Sequence, residues 1–243
     1  MRYLDRTTRR RLMHRGVRYC GGMQQRARSA EDKTRRSEDL LKAAEALALD
    51  LGGVRHVTLT AVTERAGLHR TGVRRYFASK EELLLELAER GWQQWRDAIR
   101  SETDGRAGLG PAQTAAVVSE TLVALPVFCD LLTHVTLHLE GDVDIERARR
   151  YKTNAFAAHD EIADALDRAS TMTLEQIGNL LAVAITLASG FWQVSHPTAT
   201  LAALYEQEPQ WGHVALDFAP RLNRSLRAFA IGFTETTPPG DAM

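Results

Sequence analysis

The segment from Thr58 to Leu83, TLTAVTERAGLHRTGVRRYFASKEEL, constrains this chain more than any other stretch. Its spacing predicts two short helices with a sharp turn at Ala66-Gly67, the second carrying Arg70, Arg74 and Arg75. Ser79-Lys80 then opens a longer helix. A glycine at such a turn lets the backbone take the positive φ that other residues resist. A short arginine-studded helix held at a fixed angle by its predecessor is the shape that the DNA major groove accepts.

Thr58, Val62, Ala66, Gly67, Leu68, Tyr76, Phe77, Lys80 and Leu83 stand at fixed intervals along this stretch. In that spacing the segment resembles the DNA-binding domain of the TetR family of bacterial transcriptional regulators, over about residues 37–90. Three positions depart from the family pattern: Thr63 replaces the usual Ala, His69 a capping Ser, and Arg74 a phosphate-binding Tyr. Arginine also reaches phosphate, so the last exchange keeps a chemically competent group. The remainder of the chain resembles the family only in being helical and of suitable length. The resemblance implies an all-α fold, with a three-helix helix-turn-helix head and a six-helix body for ligand binding and dimerisation. It implies a homodimer on a palindromic DNA operator, most often repressing, and a small-molecule effector held among the middle helices.

Net charge is zero, yet the two parts of the chain differ in sign. Residues 1–90 hold 20 Lys and Arg against 12 Asp and Glu, whereas residues 91–243 hold 11 against 19. Such a split points to one part that meets a polyanion and another that does not. Much of the excess precedes the motif: residues 1–36 carry 12 basic and three acidic residues and are expected to form a basic, disordered arm. Three readings of that arm stand open: added phosphate affinity, a true start at Met13 or Met23, or a solvated tail. It lacks the apolar core of a secretory signal. No apolar run approaches the roughly 20 residues of a membrane span, which excludes the membrane as a partner. Cys20 and Cys129 lie far apart with no Cys-x-x-Cys, so a disulfide framework is not expected and a cytoplasmic location is.

Periodicity divides the chain into an arm (1–36), a DNA-binding domain (37–90) and a helical body (91–243). Helix one is expected to start at Ser37, a good N-cap, and to end at Gly52-Gly53. Ser79 with Glu82, and Thr173 with Gln176, read as capping boxes. Further helices are predicted over 111–125, 126–141, 143–169, 173–195 and 217–236, with a long loop at 196–216. No window alternates with period two, so no sheet is expected. The apolar stretch 177–192 and the stripe Phe218, Leu222, Leu226, Phe229, Ala230, Phe233 together suit a four-helix dimer interface.

For DNA, Arg70, Thr71, Arg74 and Arg75 are placed to reach base edges, where arginine pairs bidentately with guanine. His69 occupies the cap of that helix. Thr58 and Lys80 stand at helix starts that favour phosphate, and Tyr76 adds a hydroxyl donor. Phe128, Thr133, His134, His138, Phe156 and Trp192 are the candidate effector contacts, as polar groups scattered on apolar faces. Asp130, His134 and His138 recur at helical spacing and allow a second reading, a helical metal-binding enzyme. A protein-binding adaptor is the third. No nucleophile elbow, phosphate loop or dinucleotide fingerprint is present, so neither catalysis nor a cofactor is expected.

Overall fold

The computed structural model describes residues 20–69, 72–214 and 217–236. Among these, the chain is α-helical with no strand; a lone parallel bridge joins Leu109 to Ser170. Helix α1 spans Cys20–Leu51 and α2 Leu59–Arg65. A 3-10 turn at Val54–His56 connects them. After a second 3-10 turn at Val73–Arg75 comes α3, Lys80–Thr103, which links head to body. The body continues with α4 (Pro111–Val123), α5 (Pro126–His134), α6 (Ile145–Ala169) and α7 (Leu174–Ser195). It closes with α8 (Ala199–Gln207) and α9 (Phe218–Thr236).

Sequence expectations and structure differ in four places. First, α1 does not start at Ser37; that residue lies inside the helix Cys20–Leu51, where residues 23–36 contain neither glycine nor proline to interrupt it. The chain from residue 20 to 36 is therefore helical, while the rest of the expected arm lies outside the described residues. Second, the supposed loop 196–216 contains α8, opened by Thr198, whose hydroxyl accepts the Leu201 N–H at 3.3 Å. Third, the helix predicted over 126–141 stops being α at His134 and widens into a π segment, Val135–Leu139. Fourth, α7 is long and apolar enough to cross a bilayer by length and composition, although no unbroken apolar run of that length exists.

The capping chemistry follows the sequence closely. The Ser79 hydroxyl accepts the Glu82 N–H at 3.1 Å, and the Glu82 carboxylate accepts the Ala78 N–H at 2.5 Å. Thr173 and Gln176 form both halves of their box, at 3.3 and 3.0 Å. These bonds fix where α3 and α7 begin, and so fix the angles at which their apolar faces meet the core.

In the body, α3 packs along α6, α4 along α9, and α7 against α5 and α9. The centre is aromatic: Trp92 and Trp95 of α3 meet Phe128 of α5 with ring centroids 5.4 and 6.2 Å away. Both indoles keep a partner, Trp92 Nε1–H donating to Tyr151 Oη and Trp95 Nε1–H to Thr121 Oγ1, each at 3.1 Å. Gly91 makes this packing possible, since a Cβ there would sit 2.2 Å from Phe128 Cδ2. Alanine inside a helix ordinarily gains up to about 1 kcal/mol over glycine. At this site the overpacking cost of about 1–3 kcal/mol wins, so Gly91→Ala is expected to lower the urea midpoint of unfolding.

Candidate nucleic-acid interface and effector site

The head is built on glycine-dependent turns. Gly53, at φ 144°, donates its N–H to Ala48 C=O at 2.8 Å and ends α1. Gly67, at φ 66°, carries the chain out of α2, and the Leu68 N–H closes the turn on Thr63 C=O at 3.0 Å. Thr58 caps α2 by accepting the Ala61 N–H at 3.2 Å. Val54, Val57, Val62, Val73 and Phe77 are buried with Leu40, Leu41 and Ala44 of α1, in the head's part of a core that continues into the body.

On this frame Arg74 and Arg75 stand exposed on the 3-10 turn, whose valine is buried beneath them. The alternation is physical: Val73 anchors the turn and the guanidinium groups are left facing water. The described part of the expected second helix is this single turn. Arg70 and Thr71 lie outside the described residues. His69 is exposed, and its carbonyl accepts the Gly72 N–H at 2.7 Å. Tyr76 is half-buried against the core, which leaves its ring a packing role beside any outward contact.

Lys80 has a partner that the sequence did not announce. Its Nζ donates to Arg55 C=O at 2.9 Å, tying the start of α3 to the turn before α2. Arg55 itself is exposed and donates through Nε to His56 Nε2 at 2.9 Å. It is a basic residue of the head that the motif spacing passes over, because it lies in the turn before the segment. Thr58, Arg55 and Lys80 are thereby gathered at one end of α2.

The six candidate effector contacts are spread over α5, α6, α7 and the π segment. Phe128 is consumed by the aromatic core, and Phe156 is 62% exposed on α6. Thr133 Oγ1 donates to Ser189 C=O at 3.0 Å across the α5–α7 seam. His134 and His138 meet edge to face at 5.3 Å, His138 on the solvent side. Trp192 stacks on His196 at 3.8 Å and meets the edge of Phe218. An open cleft of about 320 Å³ lies elsewhere, at the C-terminal ends of α3 and α6, lined by Arg100, Arg106 and Arg168 with Asp104. Arg106 there donates to Glu102 C=O at 3.2 Å, as expected of a cation beside unpaired helix-end carbonyls.

Asp130 is 5% exposed and fully engaged by protein donors. Oδ2 accepts the Val54 N–H at 2.7 Å, and Oδ1 accepts Gln193 Nε2–H at 2.8 Å with His134 Nε2 at 3.6 Å. Burial pushes its pKa up, but the hydrogen bonds from His134, Val54 and Gln193 outweigh burial and hold it below the ordinary carboxylate value. The described residues hold no cluster of three or more His, Cys, Asp or Glu side chains arranged for a metal. Cys129 is buried, donates weakly to Leu122 C=O at 3.2 Å, and has its thiol pushed by burial to about 12. A thiol so protonated at neutral pH is a poor nucleophile.

A chain that is helical in its described residues, with an exposed arginine pair on a helix-turn-helix head packed onto a helical body, has the architecture of a DNA-binding regulator. Comparison with known families agrees: residues 40–87 match "Bacterial regulatory proteins, tetR family", and residues 89–237 match "Tetracyclin repressor-like, C-terminal domain". The chain belongs to the TetR family of transcriptional regulators. Its fold is similar to that of a TetR transcriptional regulator from Rhodococcus sp. RHA1, at 13% identity and TM-score 0.51. That match covers 85% of this chain and 100% of the other. Thermus thermophilus FadR, a TetR family repressor in complex with lauroyl-CoA, matches at 19% identity and TM-score 0.48, over 85% and 100% of the two chains. A putative regulator from Streptomyces coelicolor A3(2) matches at 20% identity and TM-score 0.49, over 83% and 98%. No curated protein matches the chain.

Proposed function

We propose that this regulator binds a palindromic operator as a homodimer, in the cytoplasm and as a repressor, and that a small-molecule effector binding its body modulates it. The observation that carries the DNA reading is the exposed Arg74–Arg75 turn, held rigid by the capped helices on either side. Arg70 and Thr71, which lie outside the described residues, would share the base reading with this pair, and Thr58, His69, Tyr76 and Lys80 would supply the phosphate contacts. On this reading the head comprises residues 37–90, the body 91–243, and residues 1–36 add sequence-independent attraction to phosphate.

Dimerisation is supported by the apolar face that α7 and α9 leave open. Only 28% of the most apolar stretch of α7 is buried, and Val194 and Ile231 are 39% and 43% exposed. Along α7, Ala182, Thr186 and Gly190 are exposed at four-residue intervals, small enough for a second helix to approach closely. A two-fold pair would bury this face and present two heads to one duplex. For the effector, the α5–α7 seam around Thr133, His134, His138 and Trp192 is the proposed side of entry, with Phe128 and Phe156 as its more distant apolar neighbours. A ligand there acts only by preferring one arrangement of the heads over another.

Selection of random duplex DNA by the purified protein at about 150 mM salt tests the reading, because that salt suppresses counterion-driven binding. An enriched palindrome is the expected outcome and gives the half-site spacing. Recovery of no motif from a folded protein would overturn it.

A further inference from the structure

We propose that Asp130 is a positioning residue for DNA binding: a buried carboxylate through which the body sets the orientation of the head. The proposal rests on the DNA-binding reading above. Val54 belongs to the head, 76 residues away in sequence, and its N–H meets Asp130 Oδ2 at 2.7 Å in a buried contact. The other carboxylate oxygen is held from the body by Gln193 of α7, at 2.8 Å. The bond therefore ties three elements, the turn before α2, α5 and α7, at one pair of oxygen atoms.

Local sequence is shaped around this contact. Gly53 takes φ 144°, a conformation open to glycine, and a Cβ there would sit 3.2 Å from Asp130 Oδ2. Val54, next to it, is completely buried, and its amide is satisfied by the carboxylate. The far side of the same turn is gripped by Lys80, which binds Arg55 C=O at 2.9 Å. Three residues after Arg55, Thr58 caps α2 and starts the helix-turn-helix. A rigid rotation of the head against α5 must break the Val54–Asp130 bond or drag Asp130 with it. Pulling Asp130 out of place costs the Gln193 bond, and through it the register of α5 on α7. A buried charge stripped of its donors is strongly unfavourable, so the head orientation is tightly fixed while the carboxylate is satisfied.

A residue that only stabilises the fold and one that aims the head predict different DNA behaviour. The operator obtained by selection with the full chain supplies three probes: the palindrome, an isolated half-site, and palindromes with altered spacing. For Asp130→Ala the expected result is unchanged half-site affinity, palindrome affinity lowered about tenfold or more, and a broadened spacing preference. Gln193→Ala removes one of the carboxylate's donors without touching the head and is expected to shift the same quantities less; it serves if Asp130→Ala does not fold. Wild-type palindrome affinity and spacing preference in the variants would overturn the proposal. So would equal losses on half-site and palindrome, which mark a damaged head and not a misdirected one. If the wild-type chain itself selects no DNA, the regulator reading falls first and the role of Asp130 with it.

Discussion

Replacing Arg74 and Arg75 together by alanine is expected to abolish selection of a specific duplex while leaving the chain folded. Both side chains are exposed on a turn whose stability comes from buried Val73 and Phe77, so their removal costs the core nothing. Each arginine that reads a guanine contributes about 1–3 kcal/mol of discrimination, and a phosphate-bound one steepens the salt dependence by about one. Losing two such contacts removes most of the margin between specific and non-specific binding. Single variants separate the roles. A base-reading arginine, once replaced, changes the preferred base at one operator position. A phosphate-holding one weakens all sequences equally and flattens the salt slope, as measured by fluorescence anisotropy across salt concentrations. Arg74 stands where the family places a phosphate-binding tyrosine, so its loss is expected to flatten the salt slope as well as relax base preference, and that of Arg75 to relax base preference alone.

The head was legible in the sequence because its determinants are local. Thr58, Gly67, Ser79 and Glu82 act within a few residues of themselves, through caps and a positive-φ turn, and local chemistry can be read from spacing. The body helices were placed well for the same reason: Pro111, Pro126 and the Thr173–Gln176 box mark their starts. The failures have local causes of their own. Ser37 has every property of an N-cap, yet an uninterrupted helical stretch before it overrides the cap. The segment 196–216 is rich in loop signals, but Thr198 can open a helix between its prolines, and α8 buries none of its residues. A helix without a buried face leaves no apolar periodicity to detect.

Asp130 shows what spacing leaves out. Its position four before His134 suggested a metal stripe, and the two are indeed close, at 3.6 Å. The partners that decide its chemistry, Val54 and Gln193, lie 76 and 63 residues away and are invisible to any window. The candidate effector contacts differ in surroundings for a related reason. Phe128 and Phe156 were equivalent as letters, but packing sends one against Gly91 and leaves the other on the solvent face of α6.

Placing aspartate at both Val194 and Ile231 is expected to yield a folded monomer with operator affinity lowered by about 10²–10⁴, the gain that linking two binding modules ordinarily brings. The size of the effect follows from what the two residues do in an isolated chain, which is little. At 39% and 43% exposure they contribute weakly to the monomer core, whose α7 and α9 contacts run through Leu180, Leu181, Ala184, Leu222 and Leu226. In a dimer the same positions would be dehydrated, and two carboxylates facing their copies across a two-fold axis repel without a partner to neutralise them. Sedimentation at micromolar concentration should then show half the wild-type mass, and half-site binding should be untouched. A variant that remains dimeric would move the interface away from α7 and α9. The same variant decides what the apolar length of α7 means. If that helix served a bilayer, the wild-type chain would need detergent to stay in solution, and charges at Val194 and Ile231 would release it as well. If it serves a second copy, the wild-type chain is a dimer without detergent and the charges convert it to a monomer that can no longer hold two heads on one operator.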